Sequence, residues 1–250
     1  KILTAWNGLA VSAFAKAGLV LGDPSLVDQA RKTARFLLGN MLRNGKLFRS
    51  YMDGTARHDA LLQDYSFLAA GLLDLYEGTG EPQWIEKAID LDAILEEHFE
   101  DKANGGFFQA GDDHEPLLVR EKPAYDGAEP SGSSVAVMNL LRLHEFTSRD
   151  HYRKRAQAAL RFFSDTLRSH PYALSEMLPA VDFFLDTPKQ VVIVAPRGNR
   201  ESAGPLLSEF RRCFLPNRIF LFVTEGDEQE KNAVLVPLLE GKEAANGLAT

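Results

Sequence analysis

The 250-residue sequence has few of the residues that several common kinds of site require. It contains one cysteine, Cys213, so an internal disulfide and a cysteine-based zinc cluster are both excluded. Its formal net charge is −7 and its basic residues form no stripe, which argues against a nucleic-acid partner. No apolar run reaches the roughly 18 residues of a membrane span. We therefore predict a cytoplasmic protein that binds neither nucleic acid nor membrane.

Motifs for common cofactors are also missing. The stretch "APRGNRES" follows a predicted strand and opens a helix, but it lacks the glycine spacing of a dinucleotide-binding loop. Neither a phosphate-binding loop nor a G-x-S-x-G elbow is present. The histidines lack the His-x-x-x-His spacing of a metal site. We expect no cofactor and no bound metal.

A degenerate repeat organises the first two thirds of the chain. Three amphipathic segments start with turn residues and share a large side chain followed four residues later by alanine: Leu26 and Ala30, Trp84 and Ala88, Tyr152 and Ala156. Each follows a segment that is apolar nearly all round, at 8–21, 65–78 and 134–147. Because such helices are buried on several sides, we predict three hairpins of one inner and one outer helix. A fourth inner helix is predicted within 172–186.

The connections between these hairpins are long, at 43–63 and 99–130, and "GKLFRSYMDGT" and "GGFFQAGDD" within them predict small β-hairpins. Stacked antiparallel hairpins place these loops and the starts of all inner helices at one end, here called the long-loop face. Further on, predicted strands at 190–196 and 218–224 flank a helix with Cys213 on its apolar side, which indicates a parallel β-α-β unit and an inert, buried thiol.

These patterns predict a mainly α protein in which helical hairpins form part of a toroid, with a small β-α-β unit near the C-terminus. We place the helical-hairpin half-toroid at residues 1–188 and the β-α-β unit at 189–226. Residues 227–250 are predicted to return to the helical domain.

The long-loop face gathers aromatic, amide and carboxylate side chains. We predict neighbours at the helix starts and in the adjoining loops: Trp6, Asn7, Asp64, Tyr65, Glu129 and Ser131, with His58, Asp59, Arg120, Tyr125 and Asp126. Rings that stack on sugar faces and polar groups that bind hydroxyls suit a carbohydrate. Asp64 and Glu129 are the candidate catalytic acid and base. The candidate substrate-binding residues are Trp6, Asn7, His58, Tyr65, Tyr125, Asp126 and Ser131.

Each candidate also has a purely structural interpretation. Asp64 and Ser131 stand where helix N-caps belong, and Trp6 would suit a core. Tyr125 and Asp126 are residue types that are common in turns, so both are consistent with a structural role. Glu129 is equally consistent with a solvated loop acid. These alternatives stay open at the level of sequence.

Several ordered motifs resemble one known family. They are "LTAWNGLAVSAFAKAG", "LQDYSFLAAGLLDLYEGTGEPQWIEKA", "NGGFF" and "YDGAEPSGSSVAVMNLLRL". They are similar to the C-terminal half of the spermatogenesis-associated protein 20 family, whose bacterial members are usually called thioredoxin domain-containing proteins. The resemblance runs over nearly the whole chain.

The resemblance implies an N-terminal thioredoxin-like domain followed by an (α/α)6 toroid similar to six-hairpin glycosidases and N-acylglucosamine 2-epimerases. It implies that this chain is a piece lacking that domain and half of the toroid, with those missing parts as its partners. The exposed inner surface then predicts a homo-oligomer. Two positions depart from the family pattern: Ser133 stands in place of asparagine and Ala5 in place of serine, so altered specificity, or none, is expected if these groups bind substrate.

Three functions follow as hypotheses. The first is a carbohydrate-active domain, sugar epimerase-like or glycoside hydrolase-like, that binds a small sugar on the long-loop face. The alternative is a non-catalytic binding or scaffold module that accompanies a thioredoxin-like domain in a longer parent. A third is a redox partner of that domain, which a single buried cysteine would not favour.

Overall fold

The computed structural model describes residues 1–115 and 118–250. The chain begins with a helical hairpin and a small antiparallel sheet, made of β1 (Ile2–Leu3), α1 (Thr4–Leu21), α2 (Pro24–Asn40), β2 (Leu42–Arg43), β3 (Lys46–Met52) and β4 (Thr55–Asp59). Strand β3 pairs antiparallel with β1, β2 and β4. Asp53 and Gly54 join β3 to β4, both with positive φ, as two-residue hairpin turns require. The hairpin predicted from "GKLFRSYMDGT" is confirmed.

Two further hairpins each join a buried helix to a more amphipathic one. Their helices are α3 (Leu62–Thr79), α4 (Pro82–Ile94), α5 (Gly132–Thr147), α6 (Asp150–Phe162) and α7 (Ser164–Ser169), and a π-helical turn, Leu95–Phe99, extends α4. Most residues of α3 and α5 are buried, whereas α4 and α6 bury one side. Inner and outer helices therefore alternate as the hydrophobic pattern predicted.

The remaining elements form a short helix and a parallel strand pair. They are α8 (Met177–Leu185), β5 (Lys189–Ala195), α9 (Gly204–Arg212), β6 (Arg218–Thr224) and α10 (Asp227–Ala233). Strands β5 and β6 pair in parallel over their whole length, which confirms the β-α-β unit. The predicted fourth inner helix is shorter than expected, because a 3-10 turn, Pro171–Leu174, precedes α8.

The architecture is a partial (α/α)6 toroid built from these hairpins. One hydrophobic core joins the inner and outer helices and extends to β6 and to Val236 and Leu239. Asn232 of α10 is buried beside α3, where its Oδ1 accepts a hydrogen bond of 2.8 Å from the Tyr76 hydroxyl. The boundaries at residues 188 and 226 stay a prediction. Within the described part of the chain, none of the helices has the length and apolar character needed to cross a membrane.

Helices α1 and α3 approach so closely that their backbones touch. A Cβ atom on Gly8 would lie 2.7 Å from the backbone of Phe67 and Leu68, and one on Gly71 would lie 2.7 Å from the carbonyl oxygen of Gly8. Only glycine permits this separation, because any side chain would push the two helices apart. This contact sets the distance between the helix starts at the long-loop face.

Two sequence-based predictions are wrong. Cys213 is exposed, because α9 ends at Arg212 and the cysteine backbone is extended, so the thiol never reaches the apolar face. The stretch "GGFFQAGDD" forms the single bridge Glu100–Phe107 in place of a hairpin. The cause is that Gln109 pairs with two other segments: its N–H donates to Glu121 and its carbonyl accepts from Leu62.

Candidate functional site

A pocket of about 670 Å³ opens on the long-loop face between the starts of α1, α3 and α5. Its lining residues are Trp6, Leu9, Gln63, Gln109, Pro123, Tyr125, Gly127, Ala128, Glu129, Pro130, Ser131 and Gly132. The fold thus brings together four of the predicted site residues: Trp6, Tyr125, Glu129 and Ser131. A volume of this size accommodates a small sugar.

The pocket wall includes an exposed indole that is hydrogen-bonded to a carboxylate. Trp6 is 62% exposed, so its core interpretation is wrong. Its Nε1 donates a 3.0 Å hydrogen bond to Oε2 of Glu129, a residue 123 positions later in the chain. Tyr125 is also exposed, at 71%. Two open aromatic rings beside a carboxylate therefore face solvent in one pocket, an arrangement that suits a ligand with both apolar faces and hydroxyl groups.

Two glutamines add amide groups that the sequence analysis did not identify. Gln109 Nε2 donates to Oε1 of Gln63 at 3.0 Å, which joins the start of α3 to the loop after the π-helical turn. The Leu62 N–H holds Gln109 by its carbonyl oxygen. Gln63 directly precedes a candidate residue at an inner-helix start, so its position was a usable signal. Gln109 lies in a long loop, and nothing local marked it.

Asp64 lies behind the pocket wall and does not line it. Its side chain is almost fully buried, at 1% exposed. Oδ2 accepts from the Leu61 N–H at 2.9 Å, and Oδ1 accepts from the Ala5 N–H at 3.0 Å. The predicted N-cap position is therefore wrong, because Leu61 is the N-cap and Asp64, at the third helical position, accepts the hydrogen bond from the Leu61 N–H. Its carboxylate fixes the start of α1 on the start of α3.

Burial raises the pKa of the Asp64 carboxyl to about 6, and the negative charge of nearby Glu129 adds to the increase. The two backbone N–H groups and the charge of Arg49 oppose it. Asp64 can therefore hold a proton near neutral pH, as an acid–base group must. Its catalytic assignment, like that of Glu129, stays a prediction.

We expect Asp64→Asn to remove a pH dependence of stability. Because the folded pKa is higher than the unfolded value, the native state binds the proton more tightly, so stability is lost as pH rises through about 6. Between about pH 4 and pH 7, wild type should lose about 2–3 kcal/mol relative to Asp64→Asn. Urea unfolding of both proteins across this range measures the difference. Parallel curves would show that the buried carboxyl has no raised pKa.

Asp126 organises the loop that presents Glu129. Its Oδ1 accepts from the Ser131 N–H at 2.7 Å, and its Oδ2 accepts from Ser134 Oγ at 3.1 Å and from the Glu176 N–H at 2.9 Å. Ser131 Oγ accepts from the Ser134 N–H, which confirms its N-cap role. The turn residues of "YDGAEPSGSSV" thus hold one loop against α5 and the approach to α8.

The other predicted residues lie outside this pocket. Asn7 donates to the Leu3 carbonyl at 2.8 Å, and Tyr65 is buried, where its oxygen accepts from the Leu47 N–H. His58 and Asp59 line a separate cavity of about 480 Å³. Arg120 stacks over the Phe108 ring and donates to the Ala110 carbonyl. These side chains are engaged with the protein's own groups or face a different opening.

The two departures from the family pattern also lie away from the pocket surface. Ser133 is fully buried, and its Oγ has no hydrogen-bond partner within the described residues. Ala5 is buried where α1 packs against α3. Both positions therefore belong to the packing beneath the site, and the condition of direct substrate contact, on which an altered specificity was expected, is not met at the pocket surface.

One group of side chains has the composition of a cation site. His98, Asp112 and Asp113 place ligand atoms within 4.8 Å of one another. His98 Nδ1 lies 2.8 Å from Asp112, and Lys46 Nζ lies 3.1 Å from Asp113. Lys46 also pairs with Asp59 at 3.0 Å, so its single positive charge offsets only part of the negative charge of these carboxylates.

Comparison with known proteins identifies relatives at two levels. The chain is 36% identical to human spermatogenesis-associated protein 20 over 250 residues, which cover 96% of this chain and 32% of the human protein. It is 37% identical to the rat protein over an alignment of 264 residues, which covers 100% of this chain and 33% of the rat protein. The chain thus spans about a third of the length of these relatives. No protein-family model matches it.

Two solved sugar enzymes have a similar fold. Cellobiose 2-epimerase from Spirochaeta thermophila aligns with a TM-score of 0.54 at 19% identity, covering 67% of this chain and 43% of the epimerase. A GH76 α-mannanase from Bacteroides thetaiotaomicron aligns with a TM-score of 0.59 at 15% identity, covering 72% of this chain and 52% of the mannanase. At these identities the likeness shows the α/α toroid fold alone. By its sequence, the chain belongs to the spermatogenesis-associated protein 20 family.

Proposed function

We propose that the chain carries a carbohydrate-active site in the pocket on the long-loop face, of the sugar epimerase or glycosidase class. The observation that carries this proposal is the hydrogen bond between exposed Trp6 and Glu129 inside that pocket. It orients an aromatic face toward a bound ring and leaves a carboxylate beside it. The fold shared with cellobiose 2-epimerase and the mannanase supports the same substrate class.

Glu129 is the proposed proton-transfer group, since among the residues lining the pocket it is the carboxylate. One oxygen accepts from the indole, which leaves the other free to act on a sugar hydroxyl or a carbon-bound proton. Asp64 is the proposed second carboxyl, and its raised pKa supports a proton-holding role. It would reach substrate only after movement of the α1–α3 start, because both its oxygens bind backbone N–H groups.

That engagement of Asp64 favours a second candidate function, a sugar-binding module without turnover. A hydrolase needs two carboxyl groups facing the substrate, and one lines this pocket. In that case the module would accompany other domains of a longer parent chain, such as the thioredoxin-like domain implied by the resemblance.

Tryptophan fluorescence tests the site directly. Trp84 is buried, so the response to ligand will come mainly from Trp6. We expect a saturable change in fluorescence on titration with one class of neutral mono- or disaccharide. Because Trp6→Phe also removes the fluorescent reporter, its binding is measured by calorimetry, and we expect it to be lost. Tyr172→Ala, which removes an exposed ring outside the pocket, is the control and should bind normally. Absence of binding to every sugar would contradict the carbohydrate proposal.

Glu129→Gln separates the two candidates. Glutamine keeps an oxygen acceptor for the Trp6 N–H but cannot carry the transferred proton. For an enzyme we expect sugar affinity within about threefold of wild type and turnover reduced about 100-fold or more. Binding without turnover in wild type would select the binding module. Turnover that survives the substitution would exclude Glu129 as the acid–base group.

A further inference from the structure

A second cavity, of about 380 Å³, lies at the other end of the same inner helices. Its walls come from the last turns of α1 and α3, the beginning of α2, and the β-α-β unit. The N-terminal ends of α1 and α3 line the pocket on the long-loop face, whereas their C-terminal ends line this cavity. The two openings are therefore separate, and this one lies where the β-α-β unit packs on the helical hairpins.

Three guanidinium groups line the cavity, those of Arg31, Arg200 and Arg211. Arg200 pairs with Glu228 at 2.8 Å and lies over the Phe222 ring at 4.1 Å. Its position is therefore fixed by an acid and an aromatic face, and its charge is already compensated.

The other two arginines have donors left over. Arg31 pairs with Asp28 at 2.6 Å and with Glu81 at 2.8 Å, yet its Nε is buried and has no hydrogen-bond partner in the described parts of the chain. Arg211 donates through Nε to the Leu19 carbonyl at 2.8 Å, and it forms no ion pair with any residue that the structure describes. A buried donor without an acceptor is costly, so an acceptor is expected there.

The acid in this cavity does not supply that acceptor. Glu77 lines the wall, but its Oε1 accepts from Arg142 at 3.0 Å and its Oε2 accepts from Arg218. Both oxygens thus face a different pair of cations. Glu77 therefore leaves the Arg211 guanidinium, on the α9 side of the cavity, without a carboxylate partner among the described residues.

The rest of the wall is apolar. Leu19, Val27, Leu207, Phe220 and Phe222 contribute side chains to it. A ligand that fills the cavity therefore needs an apolar body as well as a negative group, because a bare ion would leave this surface against water.

We propose that this cavity binds a small organic anion, with an oxyanion group on Arg211 beside the Arg31 guanidinium and an apolar body against the aromatic wall. Guanidinium groups bind carboxylates and phosphates by the same charge-assisted geometry, so the shared chemistry is the oxyanion. Since the cavity joins the β-α-β unit to the hairpins, the bound anion would hold these two parts together.

Calorimetric titration of the whole 250-residue chain tests the proposal, with phenyl phosphate and benzoate as probes and benzyl alcohol as the uncharged counterpart. We expect saturable binding of at least one anion and none of the alcohol. The tighter of the two anions identifies phosphate or carboxylate as the preferred group. Arg211→Met should weaken binding about tenfold or more, because it removes a charge-assisted contact.

Arg212→Met is the matched control. Arg212 lies one residue further along α9, has an exposed side chain, and contacts Glu209 on the same surface. Its substitution removes the same charge and should leave affinity unchanged. Equal weakening in both variants, or no saturable binding of either anion by wild type, would overturn the proposal.

A second variant covers the case in which Arg211→Met does not fold. Arg211→Lys keeps the charge but loses the planar fork of donors. We expect it to bind the better anion severalfold more weakly than wild type does. Unchanged affinity in a folded Arg211→Lys protein would contradict the assignment of this side chain.

Discussion

Arg155→Met will lower the free energy of unfolding by about 3–5 kcal/mol, because it leaves buried carboxylates without a cation. Arg155 Nη1 lies 2.6 Å from Asp92, and its Nε lies 2.6 Å from Glu100. All three side chains are largely buried, and Glu96 is a third acidic partner of the arginine at 3.2 Å. The arginine thus joins α6 to the end of α4 across two hairpins.

The loss should depend on pH in a defined direction. Burial raises the pKa of both Asp92 and Glu100 even beside the arginine, and without it their folded pKa will rise further. Protonation then removes the unpaired charges, so the variant's deficit is largest near about pH 8 and shrinks toward about pH 5. Urea unfolding at several pH values measures it.

Two companion variants make this result specific. Arg161→Met removes an exposed arginine from the same helix and should change stability by less than about 0.5 kcal/mol. Combining Arg155→Met with Asp92→Asn and Glu100→Gln should restore part of the loss, since the uncompensated charges are gone. A deficit that is constant with pH and unrelieved by these substitutions would mean that lost packing, and not charge, is responsible.

Gly8→Ala will destabilise the protein by about 3 kcal/mol or more, although alanine is the better helix former. The added methyl would lie 2.7 Å from backbone atoms of Phe67 and Leu68, which cannot rotate away as a side chain could. Helices α1 and α3 must separate, and the hydrogen bond from Ala5 to Asp64 at their starts would lengthen. The sugar binding proposed for the pocket should weaken at the same time.

Gly39→Ala provides the control for this glycine. Gly39 lies in α2, and nothing lies within 4 Å of the position that its Cβ would take. The substitution should leave stability unchanged or raise it by up to about 1 kcal/mol through helix propensity alone. Thermal unfolding of the two variants side by side measures both effects. A tolerated alanine at position 8 would show that the helices can slide apart at little cost.

Much of the architecture could be predicted from local patterns. The apolar segments became the inner helices α1, α3 and α5, and "RIFLFVT" became β6 with the predicted limits. Each is an apolar run within a short stretch of chain, which the sequence contains directly. The end of α9 was missed by two residues, and this was enough to move Cys213 from core to surface. Helix limits depend on contacts beyond the pattern.

The candidate site was predictable only as a neighbourhood. Stacking of hairpins placed Trp6, Tyr125, Glu129 and Ser131 near one another, and they do line one pocket. Residue type could not tell which acids would remain free. Asp64 and Asp126 both accept hydrogen bonds from groups of the protein that are near and distant in the sequence, whereas Glu129 keeps one oxygen open.

The sequence by itself determined the helical hairpins, their order and the parallel strand pair, because hydrophobic periodicity and turn residues act over short stretches of chain. Only the tertiary structure decided which side chains face the pocket. The partner of Trp6 is 123 residues away, and the cation of Asp92 is 63 residues away. Exposure, pKa and hydrogen bonding are set by such distant contacts, which no local pattern encodes.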